Sequence, residues 1–253
     1  MPSAPLVHAN GAAIPAIGLG TWKLAGEGCA RAVAHALSVG YRHIDTAAMY
    51  GNEDAVGEGL RASGVPRDEV FVTTKVWYEA IRPGDLERSA EESLRKLRLP
   101  QVDLLLIHWP NPSVPTEAAV GALCAAKRAG LARHIGVSNF PSAMVEAAVR
   151  AASEPLVCNQ VEYHPGLSQR AVLAACRSHG LALTSYAPLG RGEMVNHPQI
   201  RAMAERHGRT PGQIILRWHV QQEGVVAIPK SGTPARIAEN LAVFDFTLPA
   251  EDM

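Results

Sequence analysis

Short runs of β-branched and apolar residues alternate along the chain with longer segments of helical character. The clearest helical segments are 84–99, 115–130 and 210–224, and within 85–97 the apolar positions recur at helical spacing. Eight runs have strand character: AIGLGTW, YRHIDTA, EVFVTTKVW, VDLLLIHW, RHIGVSNF, LVCNQVEYH, LALTSYAPL and GVVAIPK. Eight strands with seven helical stretches between them, and a helix after the eighth, predict an α/β fold: a (β/α)8 TIM barrel in one domain, residues 1–253.

Two further patterns bear on this prediction. DLLLI is apolar on both faces, as a parallel strand buried between two layers must be. Asn10-Gly11 between short apolar runs indicates an N-terminal β-hairpin with a type I′ turn, which we expect to close the bottom of the barrel. The alternative is a doubly wound open sheet, but that fold would favour a GxGxxG motif, and GLGTWK does not have that spacing.

Composition excludes several classes of partner. Lys+Arg and Asp+Glu both number 24, so the net charge is zero and we expect no nucleic-acid binding. No apolar run approaches about 18 residues, and the N-terminus lacks the charged and apolar regions of a signal peptide, so we expect a cytoplasmic protein without membrane contact. Ten histidines without HExxH spacing predict no metal site. The four cysteines form no CxxC motif and are interpreted as reduced thiols in the core: Cys29, Cys124, Cys158 and Cys176.

Four polar residues stand at or near the ends of three neighbouring predicted strands. Asp45 ends the second strand, Lys75 ends the third, His108 ends the fourth, and Tyr50 lies in the loop after the second. Taken singly, a strand-end Lys or Asp is more often a solvated rim residue, and a lone His is more often structural. Because barrel active sites form at the C-terminal ends of the strands, the four together predict a catalytic site.

The residue types in this set suggest a proton donor. Lys75 beside Tyr50 favours the phenolate, so we expect it to lower the pKa of Tyr50 toward the working range. A buried Lys75 needs a counter-charge, which Asp45 can supply, and His108 can hydrogen-bond a substrate oxygen. Such a site delivers a proton to a carbonyl oxygen, but reduction also needs a hydride, which no side chain supplies. A cofactor is therefore expected.

The C-terminal third contains a candidate phosphate site. Thr233 followed by Pro234 is an N-cap and N1 pair, so a helix is predicted to start there. Lys230 precedes this helix and Arg236 lies in its first turn, so free N–H groups and two cations surround one position. In isolation, an ordinary capped helix with surface charges is the more frequent explanation.

These motifs give the chain a resemblance to the aldo-keto reductase family over essentially its whole length. Within the family it resembles small prokaryotic members similar to 2,5-diketo-gluconate reductase. The resemblance implies carbonyl reduction by an NADPH-dependent oxidoreductase that acts on CH–OH donors, with the tetrad Asp45, Tyr50, Lys75 and His108. The matching stretches are GLGTW, YRHIDTAAMYGNE, TTKVW, LLIHWP, IGVSNF, NQVEYHP, YAPLGRG and IPKS followed by R and EN.

The resemblance also implies binding residues. Ser138, Asn139 and Gln160 would contact the nicotinamide carboxamide, Tyr186 would stack on its ring, and Leu189 would lie in the cofactor site. Other positions would bind the adenosine end of NADPH: Lys230, Ser231 and Arg236 the 2′-phosphate, and Glu239 and Asn240 the adenine. Trp22, Trp77 and Trp109 would line the pocket for a small carbonyl substrate.

Several alternatives remain open at this point. A regulatory subunit that binds the cofactor on the same barrel is possible, although an intact tetrad argues against it. A barrel hydrolase or isomerase using Asp and His would bind no NADPH. The segments HWPNPSVPTEAA and PLGRGEMVNHPQI form short loops, which predict an open pocket. Nothing in the sequence demands assembly, so we expect a monomer.

Overall fold

The computed structural model describes residues 4–253 and has ten strands and nine α-helices there. The strands are β1 (Leu6–Ala9), β2 (Ala12–Pro15), β3 (Leu19–Gly20), β4 (His43–Asp45), β5 (Phe71–Val76), β6 (Val102–Ile107), β7 (Ala132–Ser138), β8 (Leu156–Glu162), β9 (Ala182–Tyr186) and β10 (Val225–Ala227). The helices are α1 (Gly26–Ser38), α2 (Glu53–Ala62), α3 (Asp85–Leu97), α4 (Thr116–Arg128), α5 (Ser142–Ala151), α6 (Arg170–Ser178), α7 (Pro198–His207), α8 (Pro211–Val220) and α9 (Pro234–Leu241).

Strands β3 to β10 form the predicted barrel. Each pairs in parallel with its neighbours in chain order. The first and last strands are joined by parallel bridges from Ile17 to Ala227 and from Gly20 to Lys230, so the sheet closes on itself. A side chain at Gly20 would place its Cβ 2.8 Å from the Ile228 carbonyl oxygen, so a glycine allows the closing strands to approach. The (β/α)8 prediction is confirmed, and all eight strand predictions correspond to barrel strands.

The N-terminal hairpin lies at the opposite end of the barrel from the strand C-termini. β1 and β2 are antiparallel, and the turn residues have the positive φ values of a type I′ turn, 42° at Asn10 and 89° at Gly11. The Asn10 amide donates to the carbonyl oxygens of Leu156, at the start of β8, and His179, just before β9. Ile14 packs with inward residues of β6 and β8. The hairpin therefore closes the bottom of the barrel, as predicted.

The helices follow the expected signals with one exception. Thr210 caps α8 by accepting a hydrogen bond from the Gln213 amide, and Gly130 and Gly180 follow α4 and α6 with φ of 79° and 71°. The crossover between β9 and β10 contains two helices, α7 and α8, where a single helical stretch was expected. None of the helices in residues 4–253 combines the length and apolarity needed to cross a bilayer.

Close packing fixes the position of α2, which begins three residues after Tyr50. A Cβ added to Gly57 would lie 2.4 Å from the Leu97 carbonyl oxygen, and one added to Gly59 would lie 2.6 Å from that of Ala30. Both glycines therefore allow α2 to pack tightly against its neighbours α3 and α1. The loop that carries Tyr50 is thus attached to a helix with little freedom to shift.

Candidate active site

Four predicted residues meet at the C-terminal end of the barrel. Asp45 is the last residue of β4, Lys75 is the fifth residue of β5, and His108 directly follows β6. Tyr50 ends a short 3-10 turn, Ala48–Tyr50, after β4. The three strands are neighbours in the sheet, so their ends bring these side chains together, as the sequence predicted.

The Lys75 ammonium group is the centre of this cluster. Its side chain is fully buried, and Nζ donates to Asp45 Oδ1 at 2.5 Å and to the Thr46 carbonyl oxygen at 2.8 Å. The third contact, to Tyr50 Oη, is long at 3.5 Å, so its effect is mainly electrostatic. Burial acts to lower the pKa of Lys75, but Asp45 and Tyr50 outweigh it and the pKa is raised. The ammonium therefore stays charged.

Two groups that hydrogen-bond the Lys75–Asp45 ion pair were not predicted to do so. The Gln160 amide nitrogen donates to Asp45 Oδ2 at 2.7 Å, so both oxygens of this carboxylate are occupied. The resemblance implied only a nicotinamide contact for Gln160. The Thr46 carbonyl is a backbone group, and no residue type in the sequence can reveal which carbonyl will meet a lysine.

The expected lowering of the Tyr50 pKa is not the net result. Burial raises the pKa of this phenol, the Lys75 charge lowers it by a smaller amount, and Asp45 raises it again. The net direction is upward because burial outweighs the Lys75 charge. The prediction was wrong because the sequence shows the cation but not how far the ring is removed from water. Tyr50 is therefore a neutral phenol at pH 7 and carries the proton that an acid must donate.

His108 lies beside Tyr50 and is uncharged. The two ring centroids are 5.7 Å apart, and Trp77 packs edge-on against His108 at 5.2 Å. Burial and, secondarily, the Lys75 charge lower the pKa of His108 to about 3. Nδ1 is buried and has no hydrogen-bond partner in the described protein. A neutral imidazole beside a phenol can bind a substrate oxygen and does not compete as the acid.

The predicted nicotinamide contacts form a hydrogen-bonded group beside this cluster. Asn139 has φ of 62°, and its amide nitrogen donates to the His108 carbonyl oxygen at 2.9 Å. The Tyr186 hydroxyl donates to Asn139 Oδ1 at 2.9 Å, and Ser138 Oγ donates to the Gln160 carbonyl oxygen at 2.8 Å. Burial raises the pKa of Tyr186 to about 12, so it remains a neutral donor.

The predicted phosphate residues surround the start of α9. Thr233 is the N-cap and Pro234 is at N1, but the Thr233 side chain does not cap the helix, so no side chain takes the place of an anion at its first N–H groups. Lys230 and Arg236 are exposed, and buried Ser231 accepts a hydrogen bond from the Thr233 amide at 3.1 Å. Exposed cations and an uncapped helix start are the features that a bound phosphate needs.

The other predicted contacts are placed as follows. Glu239 Oε1 accepts the Thr210 hydroxyl hydrogen at 2.8 Å, and Asn240 is buried. Leu189 is half-buried and packs against the core beyond β9. Trp22 and Trp109 are 41% and 42% exposed, a large fraction for tryptophan, whereas Trp77 is half-buried. Across residues 4–253, no three His, Cys, Asp or Glu side chains are grouped as a metal would require.

Comparison with known proteins agrees with this geometry. The model of the Aldo/keto reductase family matches residues 16–253. Aldo-keto reductase family 1 member A1 of Rattus norvegicus is 41% identical over 285 residues, which cover 99% of this chain and 87% of that protein.

Two solved structures extend the match to the fold. A protein provisionally named 2,5-diketo-D-gluconic acid reductase B superposes with a TM-score of 0.97 at 47% identity, covering 99% of this chain and 89% of that one. A Bombyx mori aldo-keto reductase, crystallised in complex with NADP, superposes with a TM-score of 0.92 at 35% identity, covering 100% and 91%. This chain therefore belongs to the aldo/keto reductase family.

Proposed function

We propose that this enzyme reduces aldehydes and ketones to alcohols with NADPH, and that Tyr50 donates the proton. The observation that carries the proposal is the buried Lys75 ammonium, held by Asp45 with Tyr50 Oη 3.5 Å away. Positive charge beside a phenol stabilises the phenolate that remains after the proton has left.

The residues of the tetrad have separate roles in this scheme. When bound, NADPH supplies a hydride to the carbonyl carbon. His108, as a neutral imidazole, hydrogen-bonds the carbonyl oxygen and keeps it near the Tyr50 hydroxyl. Tyr50 releases its proton to that oxygen, and Lys75 stabilises the phenolate. Asp45 keeps Lys75 charged and in place.

The residues around the site fit this cofactor. We assign Ser138, Asn139 and Gln160 to the carboxamide end and Tyr186 to the ring face, because they lie in one hydrogen-bonded group beside His108 and Asp45. Gln160 would have two roles, because its amide nitrogen also donates a hydrogen bond to Asp45. Leu189 follows Tyr186 in the loop after β9, and we assign it to the same cofactor site.

The adenosine end is assigned to the loop after β10 and to α9. Lys230, Ser231 and Arg236 would bind the 2′-phosphate at the uncapped helix start, where an extra dianion needs two cations. Asn240 and Glu239 would contact the adenine. The Glu239 carboxylate already accepts the Thr210 hydroxyl, so one of its oxygens is engaged.

The substrate side is assigned to three tryptophans. Trp77 contacts His108, and the exposed Trp22 and Trp109 present apolar surface that a bound substrate would cover. Such a pocket, with short loops around it, suits a range of small carbonyl compounds. We further propose that residues 1–253 act as one barrel domain and as a monomer in the cytoplasm, where four free buried cysteines remain reduced.

Tyr50→Phe should lower kcat for aldehyde reduction by about 100-fold or more, because general acid catalysis by a positioned group contributes that much. NADPH affinity, followed by protein fluorescence, should stay unchanged. Tyr163→Phe is the matched control, since it removes a buried hydroxyl that donates to Gln222 at 2.8 Å. Activity of Tyr50→Phe within a few-fold of the wild type would contradict the proton-donor role.

The pH profile of kcat/KM for reduction should show no histidine ionisation between about pH 5 and about pH 8. His108 has a pKa of about 3, so the imidazole is neutral throughout that range and nothing is gained or lost by its titration. His108→Gln, which keeps a neutral donor, should retain the shape of the profile at lower activity. An inflection near the ordinary histidine pKa that disappears in His108→Gln would show that this imidazole titrates in the range and would contradict a permanently neutral His108.

Lys230→Ala and Arg236→Ala should each raise KM for NADPH about tenfold or more and change KM for NADH little, because NADH lacks the 2′-phosphate. Steady-state kinetics with both cofactors measure this. Arg150→Ala, which removes an exposed arginine on α5, is the control for loss of surface charge. Equal increases of KM for the two cofactors would remove the 2′-phosphate assignment.

A further inference from the structure

Asn52 is a buried amide that connects three segments around the tetrad. It follows Tyr50 by two residues, with Gly51 between them in a left-handed conformation at φ of 65°, and it precedes α2. Its side chain is 2% exposed. A polar side chain buried this deeply must be hydrogen-bonded, so the identity of its partners shows what it does.

The Asn52 amide makes three hydrogen bonds. Its nitrogen donates to the carbonyl oxygens of Thr21 at 2.9 Å and Leu24 at 2.8 Å. Its oxygen accepts from the Thr46 hydroxyl at 3.0 Å. Both hydrogens of the NH2 group are used, and no other side chain of similar size offers two donors and one acceptor in this arrangement.

Two of these partners lead directly to the Lys75–Asp45 pair. Thr46 offers its carbonyl oxygen to Lys75 Nζ at 2.8 Å, while its hydroxyl binds Asn52. Thr21 donates through both its amide and its hydroxyl to the Asp45 carbonyl oxygen, each at 3.0 Å. Asn52 therefore fixes the backbone on both sides of the ion pair without touching either charged group.

We propose that Asn52 is a positioning residue for proton transfer: it sets the distance between the Tyr50 hydroxyl and Lys75 by joining the loops after β3 and β4 to the start of α2. This inference rests on the proposed role of Tyr50 as the proton donor. Asn52 acts through Thr46, Thr21 and the short turn Ala48–Tyr50, and it has no contact with the reacting atoms. The alternative is a purely structural amide whose loss would weaken the fold alone.

The distance matters because Tyr50 responds to charge. Burial raises the pKa of Tyr50, Lys75 lowers it and Asp45 raises it again. Neutral His108 lies beside the ring, and a charge on Tyr50 would raise the pKa of the nearby Tyr186. If the Tyr50–Lys75 separation grows, the Coulomb attraction between the phenolate and the ammonium weakens, so the Tyr50 pKa rises further. Alcohol oxidation, which needs the phenolate as a base, then requires higher pH.

The test uses Asn52→Asp, which keeps the shape but turns an oxygen toward the Thr21 and Leu24 carbonyl oxygens. We expect kcat for aldehyde reduction to fall about tenfold or more, as misplacement of a reacting group does. The alkaline limb of the pH profile for alcohol oxidation should move to higher pH. The ionisation of Tyr50 can also be followed in the cofactor-free protein by tyrosinate absorbance in the near ultraviolet. The part of this titration that is missing in Tyr50→Phe should likewise move to higher pH in Asn52→Asp.

Two further variants separate positioning from stability. Asn10→Asp is the matched control, because the Asn10 amide also donates to two backbone carbonyls, at 2.8 and 2.9 Å, but at the bottom of the barrel. It should lower the melting temperature and leave the pH profile unchanged. Thr46→Val removes only the hydroxyl that donates to Asn52, and it should move the profile in the same direction as Asn52→Asp by a smaller amount. Because Thr46→Val adds no charge, it shows whether the shift comes from position or from the added carboxylate of Asn52→Asp. It also decides the question if Asn52→Asp does not fold.

The outcomes distinguish the two levels of the proposal. If the wild type reduces no aldehyde with NADPH, or Tyr50→Phe is fully active, the proposed function fails before Asn52 is considered. If the wild type behaves as proposed but Thr46→Val keeps its pH profile, any shift in Asn52→Asp comes from its added charge, so Asn52 is structural only and the inference is overturned.

Discussion

The buried ammonium group of Lys75 is the constraint on which the site depends. A charge removed from water is stable only if its N–H groups find acceptors and its charge finds a counter-charge. The barrel supplies both: a carboxylate from β4, a backbone carbonyl from the residue after it, and the oxygen of Tyr50. The second oxygen of the Asp45 carboxylate accepts a hydrogen bond from Gln160 of β8, across the barrel. Satisfying one cation therefore fixes groups from several parts of the sheet.

The buried Lys75 charge also bears on which group donates the proton in the proposed reaction. Burial raises the pKa of the Tyr50 phenol and lowers that of His108, so both are neutral beside a permanent positive charge. A neutral imidazole is a far weaker acid than a phenol, so in the proposed scheme Tyr50 releases the proton and Lys75 stabilises the phenolate that remains. In the proposed scheme the site therefore combines a proton donor, a neutral hydrogen-bonding group and a stabilising cation, which together can protonate a carbonyl oxygen.

Much of this architecture follows from the sequence. Alternation of strand and helix predicts the barrel, Asn10-Gly11 predicts the hairpin turn, and strand-end positions predict that Asp45, Lys75 and His108 will meet. These are properties of residue type and order. The first helix of the β9–β10 crossover, α7, was not predicted, because it begins within the segment 188–200, which is rich in turn residues.

The sequence could not show which residues far apart in the chain form hydrogen bonds with one another. The Gln160–Asp45 bond joins residues 115 positions apart, and the Thr46 carbonyl that meets Lys75 belongs to the backbone. The net pKa direction of Tyr50 depends on how burial compares with a single charge, which needs coordinates. The cofactor and substrate assignments depend on the same kind of information, and they remain predictions supported by the arrangement of the residues.

The most direct test is a double-mutant cycle on the ion pair, with Lys75→Met, Asp45→Asn and the double variant. Removing one member of a buried pair leaves a charge unpaired and should cost about 3–5 kcal/mol in the free energy of unfolding. Removing both should cost less than Lys75→Met alone, yet the double variant should reduce no aldehyde. Additive stability losses, or substantial activity in the double variant, would contradict the account that Lys75 organises this site and stabilises the Tyr50 phenolate.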